Sequence, residues 1–342
     1  MADFKSSAAR TKEEIAYHSR HLWVRTKDLV GLPRAGLDRS FFISQLARKI
    51  RSGEIGSNVR ITAAGKTDGA GAQALAKISA MAFAATFNRE YVHVPFRKIC
   101  HAEGPPDLWT ASWEQTFNFG HGYKNIDSSD LPIYPLGDFL KNRTSWAEEC
   151  AVQLIHYQNW TNANTWAYAS LAPELREKYY LGATPSQNQQ PVIALHIRRG
   201  DVSETQSFKT HFTPNGPIHA CLTEVLAVLK SVGIHPLVQI FSQGKPDDFK
   251  EFFEFDPQFY LDRPAIESFR LLIEADVLLM ARSAFSYVAA LLSDGIKLYD
   301  PFQEAPLPDW IVRDATGSFD TAQLRDLVER LPKSGERKSL VP

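Results

Sequence analysis

The stretch ALHIRRGD, residues 194–201, ends an apolar run in a histidine, two adjacent arginines, a glycine and an aspartate. Two neighbouring guanidiniums repel unless something anionic lies between them, so a strand that delivers Arg198 and Arg199 at its carboxyl end aims them at an anion. Side chains alternate along a strand, so one arginine can face that anion while the other pairs with Asp201 or braces the loop. Further on, ARSAFSYVAALL places Ser283 and Ser286 at the start of a helix, where hydroxyls and backbone N–H groups bind phosphate. A plain N-cap accounts for Ser283 by itself; the arginines weigh towards a ligand.

A glycine-rich segment, AAGKTDGAGAQA, offers a second candidate. Its GKT at 65–67 lacks the glycine a P-loop needs five residues earlier, where Arg60 stands. GAGAQA, residues 69–74, fits the G-x-G-x-x-A turn of dinucleotide-binding enzymes, but YVHVPF has no acidic residue at its end to hold a ribose. What remains is physical: glycines let the backbone approach a ligand, and the following helix offers N–H groups. A tight strand-to-helix turn that binds nothing fits the same residues.

The elements that must position these groups follow from the whole chain. Its 342 residues are 44% hydrophobic and 23% charged with formal net charge -1, the profile of a soluble globular protein of two domains. That balance gives no support for nucleic-acid binding by bulk charge, so an anion site must be local. Cys100, Cys150 and Cys221 are an odd number without close spacing, which argues against a disulfide framework or a zinc site and for a reducing compartment. The opening residues have no apolar core and no run approaches the ~18 apolar residues of a membrane span, so the expected location is cytoplasmic. NRT at Asn142 and NWT at Asn159 then read as chance matches to the glycosylation pattern.

The polar stretch YLGATPSQNQQP, 180–191, divides the chain into a domain at 1–185 and a domain at 186–342. In the second, VIALHIRR, PLVQIFSQG, QFYLD, DVLLMA and IKLYDPF read as buried strands, separated by helices at ACLTEVLAVLKSVG, PDDFKEFFEF, AIESFRLLIEA and SAFSYVAALLSDG. Continuous apolar strands alternating with helices predict an α/β fold with a doubly wound parallel sheet, whose ligands bind beyond the carboxyl strand ends. The first domain begins the same way, with NVRITAAG and REYVHVPF as strands around the helix ALAKISAMAFAATF. Trp109, Trp113, Trp146, Trp160 and Trp166 then mark an aromatic-rich helical insertion. Such rings can stack on sugars, but a helical core or an inter-domain seam is the weightier reading.

HIRRGD together with EADVLLMARSAFSYVAALLSDG resembles the donor-binding motifs of the α1,2-, α1,6- and protein-O-fucosyltransferase superfamily, and GAGAQ resembles that group's amino-terminal glycine motif. The resemblance implies a GT-B-like fold, two Rossmann-like domains facing across a cleft, with the amino-terminal domain on the acceptor side. It implies transfer of fucose from GDP-fucose to a glycan hydroxyl, with inversion at the sugar carbon and no further cofactor. Arg198 would be the principal contact to the donor's β-phosphate, with Arg199 supporting and His196 orienting the site. Ser283, Phe285, Ser286 and Tyr287 would lie at the pyrophosphate, and Gly69, Gly71 and Gln73 would face the donor from the other domain. Many relatives carry asparagine where this chain has Ala72, and their guanine-binding carboxylate aligns near Ser268, beside Glu267.

Leaving-group charge on GDP would be stabilised by guanidiniums and helix N–H groups, and without a D-x-D pair Arg198 would replace a metal ion. The proton acceptor stays open among Glu204, Asp201 and Asp68, with Glu204 slightly ahead. Alternatives are a transferase of this fold using another nucleotide sugar and a non-catalytic GDP- or glycan-binding relative.

Overall fold

The structure, a computed structural model, describes residues 35–128, 130–155, 157–183, 190–204 and 209–330. The opening segment and the expected boundary between 185 and 186 lie outside the described residues.

The chain builds two parallel α/β units. The first starts with a helix at Ala35–Arg51 (α1), then a strand at Val59–Thr62 (β1), a helix at Ala70–Thr86 (α2) and a short strand at Val92–His93 (β2). After a helix at Pro106–Phe117 (α3) come strands at Lys124–Asn125 (β3) and Ile133–Pro135 (β4). A short helix at Leu136–Lys141 (α4), a strand at Cys150–Gln153 (β5) and helices at Gln158–Thr161 (α5) and Trp166–Leu181 (α6) complete the unit. Strand β5 lies between β1 and β4, and β2 pairs β3, all in parallel. A bridge from Ile61 to Tyr91 and the Thr62 hydroxyl donating to Val92 O set the two small sheets side by side. The expected strand REYVHVPF is paired only over its middle. Pro95, with no N–H to donate, comes just past the paired residues.

The second unit is regular. Strands run at Val192–His196 (β6), Leu237–Ser242 (β7), Gln258–Leu261 (β8), Val277–Leu279 (β9), Ile296–Tyr299 (β10) and Ile311–Val312 (β11). Helices lie at Asn215–Ser231 (α7), Ala265–Glu274 (α8), Ala284–Leu292 (α9) and Thr321–Glu329 (α10). The sheet order is β8-β7-β6-β9-β10-β11, all parallel, so the chain winds outwards from β6 in one direction and from β9 in the other. Alternate residues of β6 serve opposite faces: Val192 and Ala194 join the core shared with the first unit, while Ile193 and Leu195 face a second core with Leu222 and Val225 of α7 and Leu324 of α10. Burial on both faces is why these strands read as unbroken apolar runs. Helix α7 stops as expected at Gly233, whose φ of +79° favours glycine. PDDFKEFFEF departs from expectation: it forms 3-10 turns with a break at Phe249. Phe249, Phe252 and Phe255 are three apart, a spacing that a 3-10 turn aligns on one face against the core.

One of the tryptophans lies at the seam between the units. Trp113 of α3 packs edge-on against Phe269 of α8 and Phe285 of α9, with ring centroids 5.4 and 6.2 Å away. Trp109, Trp146 and Trp160 are also buried, whereas Trp166 is half exposed. Each large apolar side chain buried here contributes roughly 1.5–3 kcal/mol, which favours a fixed relation between the units. Polar ties add to it: Arg176 donates to Ser293 O and pairs with Asp294, and Asn162 bonds Gln303 O and Ala305 N. No helix among the described residues is long and apolar enough to cross a membrane.

Candidate functional site

In the second sheet, the strand order reverses between β6 and β9, and that is where a doubly wound sheet opens a crevice beyond its carboxyl ends. Arg198 follows β6 and Arg282 follows β9, one on each side of the reversal. Asp300 ends β10 and Arg313 ends β11, so four neighbouring strands each deliver a charged residue to the same edge.

Arg198, its side chain 24% exposed, forks onto Asp201, with Nε and Nη2 donating to the two carboxylate oxygens at 3.2 and 2.7 Å. Its Nη1 meets His211 Nδ1 at 2.9 Å. Burial alone would raise the Asp201 carboxyl, but the Arg198 fork and the charge of His101 outweigh it and hold the pKa below its usual value. Arg199 turns away: Nη2 donates to Thr213 O and Asn215 Oδ1, and the guanidinium lies 4.4 Å over the Phe212 ring. Arg198, the expected principal phosphate contact, is the arginine that pairs with Asp201, and Arg199 braces the loop, one of the two roles expected for the second arginine. Gly200 between them has φ +82°, which lets the chain turn sharply enough for Asp201 to fold back.

His211 holds the two sides of the crevice together, since its ring also hydrogen-bonds to the Arg282 backbone carbonyl. Burial and the nearby Arg198 charge lower its pKa. Arg282 donates from Nε to Asp300 Oδ1 at 3.0 Å, and Asp300 Oδ2 accepts from Arg313 and from the Thr213 hydroxyl, both at 2.6 Å. Asp300 and Arg313 are buried, whereas the Arg282 side chain is 26% exposed.

Ser283 caps α9 as expected, its hydroxyl accepting from Phe285 N. Ser286 is fully buried; its hydroxyl accepts from Ala281 N and lies 3.0 Å from His196 Nδ1. Burial and Arg198 push the His196 pKa down to about 3, so the ring is neutral at any working pH. Tyr287 differs from its expected place at the pyrophosphate: it is buried in the shared core and donates to Ala305 O. Its ring packs on Trp310 and Tyr168.

The glycine segment also has a structural explanation. A Cβ on Gly71 would fall 2.6 Å from Phe285 N and 2.7 Å from Phe285 Cα, so this glycine lets α2 pack directly against the start of α9. Gln73 is buried and donates to Asp68 O and Lys98 O, tying down the loop. Gly69 precedes α2 with open space around it. The turn therefore closes the units on each other, with Gly71 serving that packing and Gln73 holding the loop.

Loops of the first unit complete the crevice. His101 lies close enough to act on the Asp201 charge, and the Glu103 carboxylate accepts from Ala265 N at the start of α8. Glu267 stands exposed in the first turn of that helix, with the half-buried Ser268 beside it. Lys66 bonds Ala72 O and pairs with Asp68, and its charge reaches Glu304. Glu304 is buried in the loop after β10, its Oε2 without a hydrogen-bond partner among the described residues, and burial raises its pKa to about 7. Glu204 is exposed next to residues 205–208, which lie outside the described set, and its charge acts on Arg199.

Sequence reading missed Arg282, His211, Asp300 and Arg313. Three of these are the residues at which DVLLMAR, IKLYD and IVR end, the same signal that singled out Arg198. Among the described residues, no group of three or more His, Cys, Asp or Glu could hold a metal ion. Two surface cavities, of about 320 and 310 Å³, lie away from the crevice, one beside Arg48 and Trp160, the other beside Arg60 and Glu149.

No family model matches the sequence, and no curated protein matches it. Among solved structures, the chain is similar to NodZ alpha-1,6-fucosyltransferase co-crystallised with GDP, at 15% identity over 71% of this chain and 96% of that one, with TM-score 0.36. It is similar to POFUT1 in complex with GDP, at 11% identity over 70% and 96%, TM-score 0.33. Heptosyltransferase WaaC from E. coli matches at 11% identity over 79% and 98%, TM-score 0.33. All three likenesses are remote.

Proposed function

We propose that this protein is an inverting glycosyltransferase that moves fucose from GDP-fucose to a glycan hydroxyl. The observation that carries the reading is the crevice at the strand-order reversal, where Arg198 and the Ser283-capped start of α9 converge from adjacent strands. In the reaction the acceptor oxygen attacks the sugar carbon from the face opposite the diphosphate. The bond from that carbon to the β-phosphate oxygen breaks, its electron pair stays on GDP, and the acceptor's proton passes to a base. The growing charge on GDP is what preorganised guanidiniums and helix N–H groups stabilise. Arg198 would exchange Asp201 for the donor's phosphate, and the arginines would supply the charge that other transferases draw from a divalent ion. Glu204, exposed beside this edge, is the proposed proton acceptor. The acceptor class that suits a cytoplasmic enzyme is an oligosaccharide or a lipid-linked glycan.

The test is release of GDP from GDP-fucose by the full chain, with and without an oligosaccharide mixture. We expect GDP release that EDTA changes by less than about twofold, as for sites where arginine does an ion's work. Tight GDP binding without turnover would make the protein a binding module instead. Absence of both binding and turnover would end the reading.

A further inference from the structure

We infer that Arg282 is a second anion anchor, built to make this crevice select two linked phosphates over one. The inference rests on the proposed nucleotide-sugar site and assigns it a residue to which the sequence reading gave no role.

The geometry is specific to this side chain. Arg282 leaves β9 directly across the strand-order reversal from Arg198, and His211 touches both, meeting Arg198 Nη1 with its Nδ1 and the Arg282 carbonyl with its ring. One ring therefore ties the Arg198 guanidinium to the backbone from which Arg282 projects. Arg282 is fixed from behind through Nε by Asp300, a buried carboxylate that also carries the buried Arg313. Its two η nitrogens have no protein partner among the described residues, and the side chain is a quarter exposed.

The charges support the same conclusion. Arg198 is balanced by Asp201, whereas Arg282 and Arg313 share the single carboxylate of Asp300, which leaves one positive charge over within that group of three. A buried guanidinium and an exposed one on one buried carboxylate is a costly arrangement for stability alone, since desolvated charges repay their burial only when fully matched. An arriving diphosphate would supply the match: one phosphate on Arg198 in place of Asp201, the other in the open fork of Arg282. An arginine whose back edge is already fixed loses little further freedom when its front edge forms two parallel N–H···O bonds.

The test is calorimetric titration of the full chain and of Arg282→Gln with pyrophosphate, phosphate, GDP and GMP, checking that the variant melts like the wild type. We expect Arg282→Gln to weaken GDP and pyrophosphate by about 10- to 100-fold, the effect of losing a charged hydrogen-bonding partner, and to leave GMP and phosphate within a few-fold. Arg282→Lys should recover only part of the loss. Unchanged GDP-to-GMP and pyrophosphate-to-phosphate ratios in the variant would overturn the inference while leaving the proposed function standing. Pyrophosphate binding that depends on Arg282, with no preference for GDP over UDP or ADP, would uphold the inference and remove the guanosine assignment. If neither pyrophosphate nor GDP binds the wild type, both fall.

Discussion

Replacing Arg198 by alanine should abolish most catalysis while sparing the fold. The side chain is partly exposed, and its contacts are a carboxylate three residues on and the half-buried His211 ring. A pair of that exposure contributes about 0–1 kcal/mol to stability, so the variant should melt close to wild type. The effect on rate should be much larger. Removing one preorganised donor from a site of developing charge costs about 10²–10³ in turnover, or roughly 3–4 kcal/mol. Asp201 would add to the loss, because without its arginine it leaves an unpaired carboxylate facing an incoming diphosphate. Arg198→Ala combined with Asp201→Asn should therefore be less impaired than Arg198→Ala alone. Arg198→Lys should recover little, since a point charge does not reproduce the fork. Initial rates of GDP release from GDP-fucose, with melting curves for each variant, measure all of this. An Arg198→Ala enzyme within a few-fold of the wild-type rate would refute the assignment.

Glu304 predicts a pH effect on stability. Its folded pKa is raised to about 7 from an unfolded 4.5, so the stability linked to its proton is fully present below 4.5 and is lost as pH rises through 7. Glu304→Gln should gain about 2–3 kcal/mol on wild type between pH 5 and pH 8 in denaturant titrations, and a pH-independent difference would contradict the burial argument. Gly71→Ala should destabilise by about 1–3 kcal/mol and weaken GDP binding, because the added methyl meets Phe285 backbone; a neutral result would show that α2 and α9 can part freely. Glu267→Gln should weaken GDP binding by about 1.5–3 kcal/mol and leave UDP and ADP nearly unchanged, if this carboxylate accepts from the guanine edge. Equal GDP affinity in both proteins would return Glu267 to the surface.

The second unit was legible because its strands are buried on both faces and its helices end in recognisable turns, as at Gly233. The position of Arg198 at a strand end followed from that. The partition of the arginines did not, because it depends on the turn at Gly200, which brings Asp201 back to Arg198. The packing role of Gly71 is not legible for a related reason: a glycine that admits a ligand and one that admits another helix look alike in sequence, and the closeness of Phe285 appears only in the fold. Tyr287 sits one residue beyond the buried Ser286 and was assigned by motif, whereas helical geometry turns it into the core beside Trp310. Arg282 ends its strand as Arg198 does, but in sequence the serines that follow it account for the same stretch as a helix cap.

The most direct test of the central claim, that the crevice between β6 and β9 holds a nucleoside diphosphate, is thermal unfolding of the full chain against a panel of nucleotides. A ligand that binds only the folded state stabilises it by about 2.7 kcal/mol at a hundredfold excess over its dissociation constant, which corresponds to a rise of a few degrees. The account predicts that GDP and GDP-fucose raise the melting temperature in a concentration-dependent way and that Arg198→Ala loses the effect. Melting curves that no nucleoside diphosphate moves, or that GDP moves equally in Arg198→Ala, would contradict it.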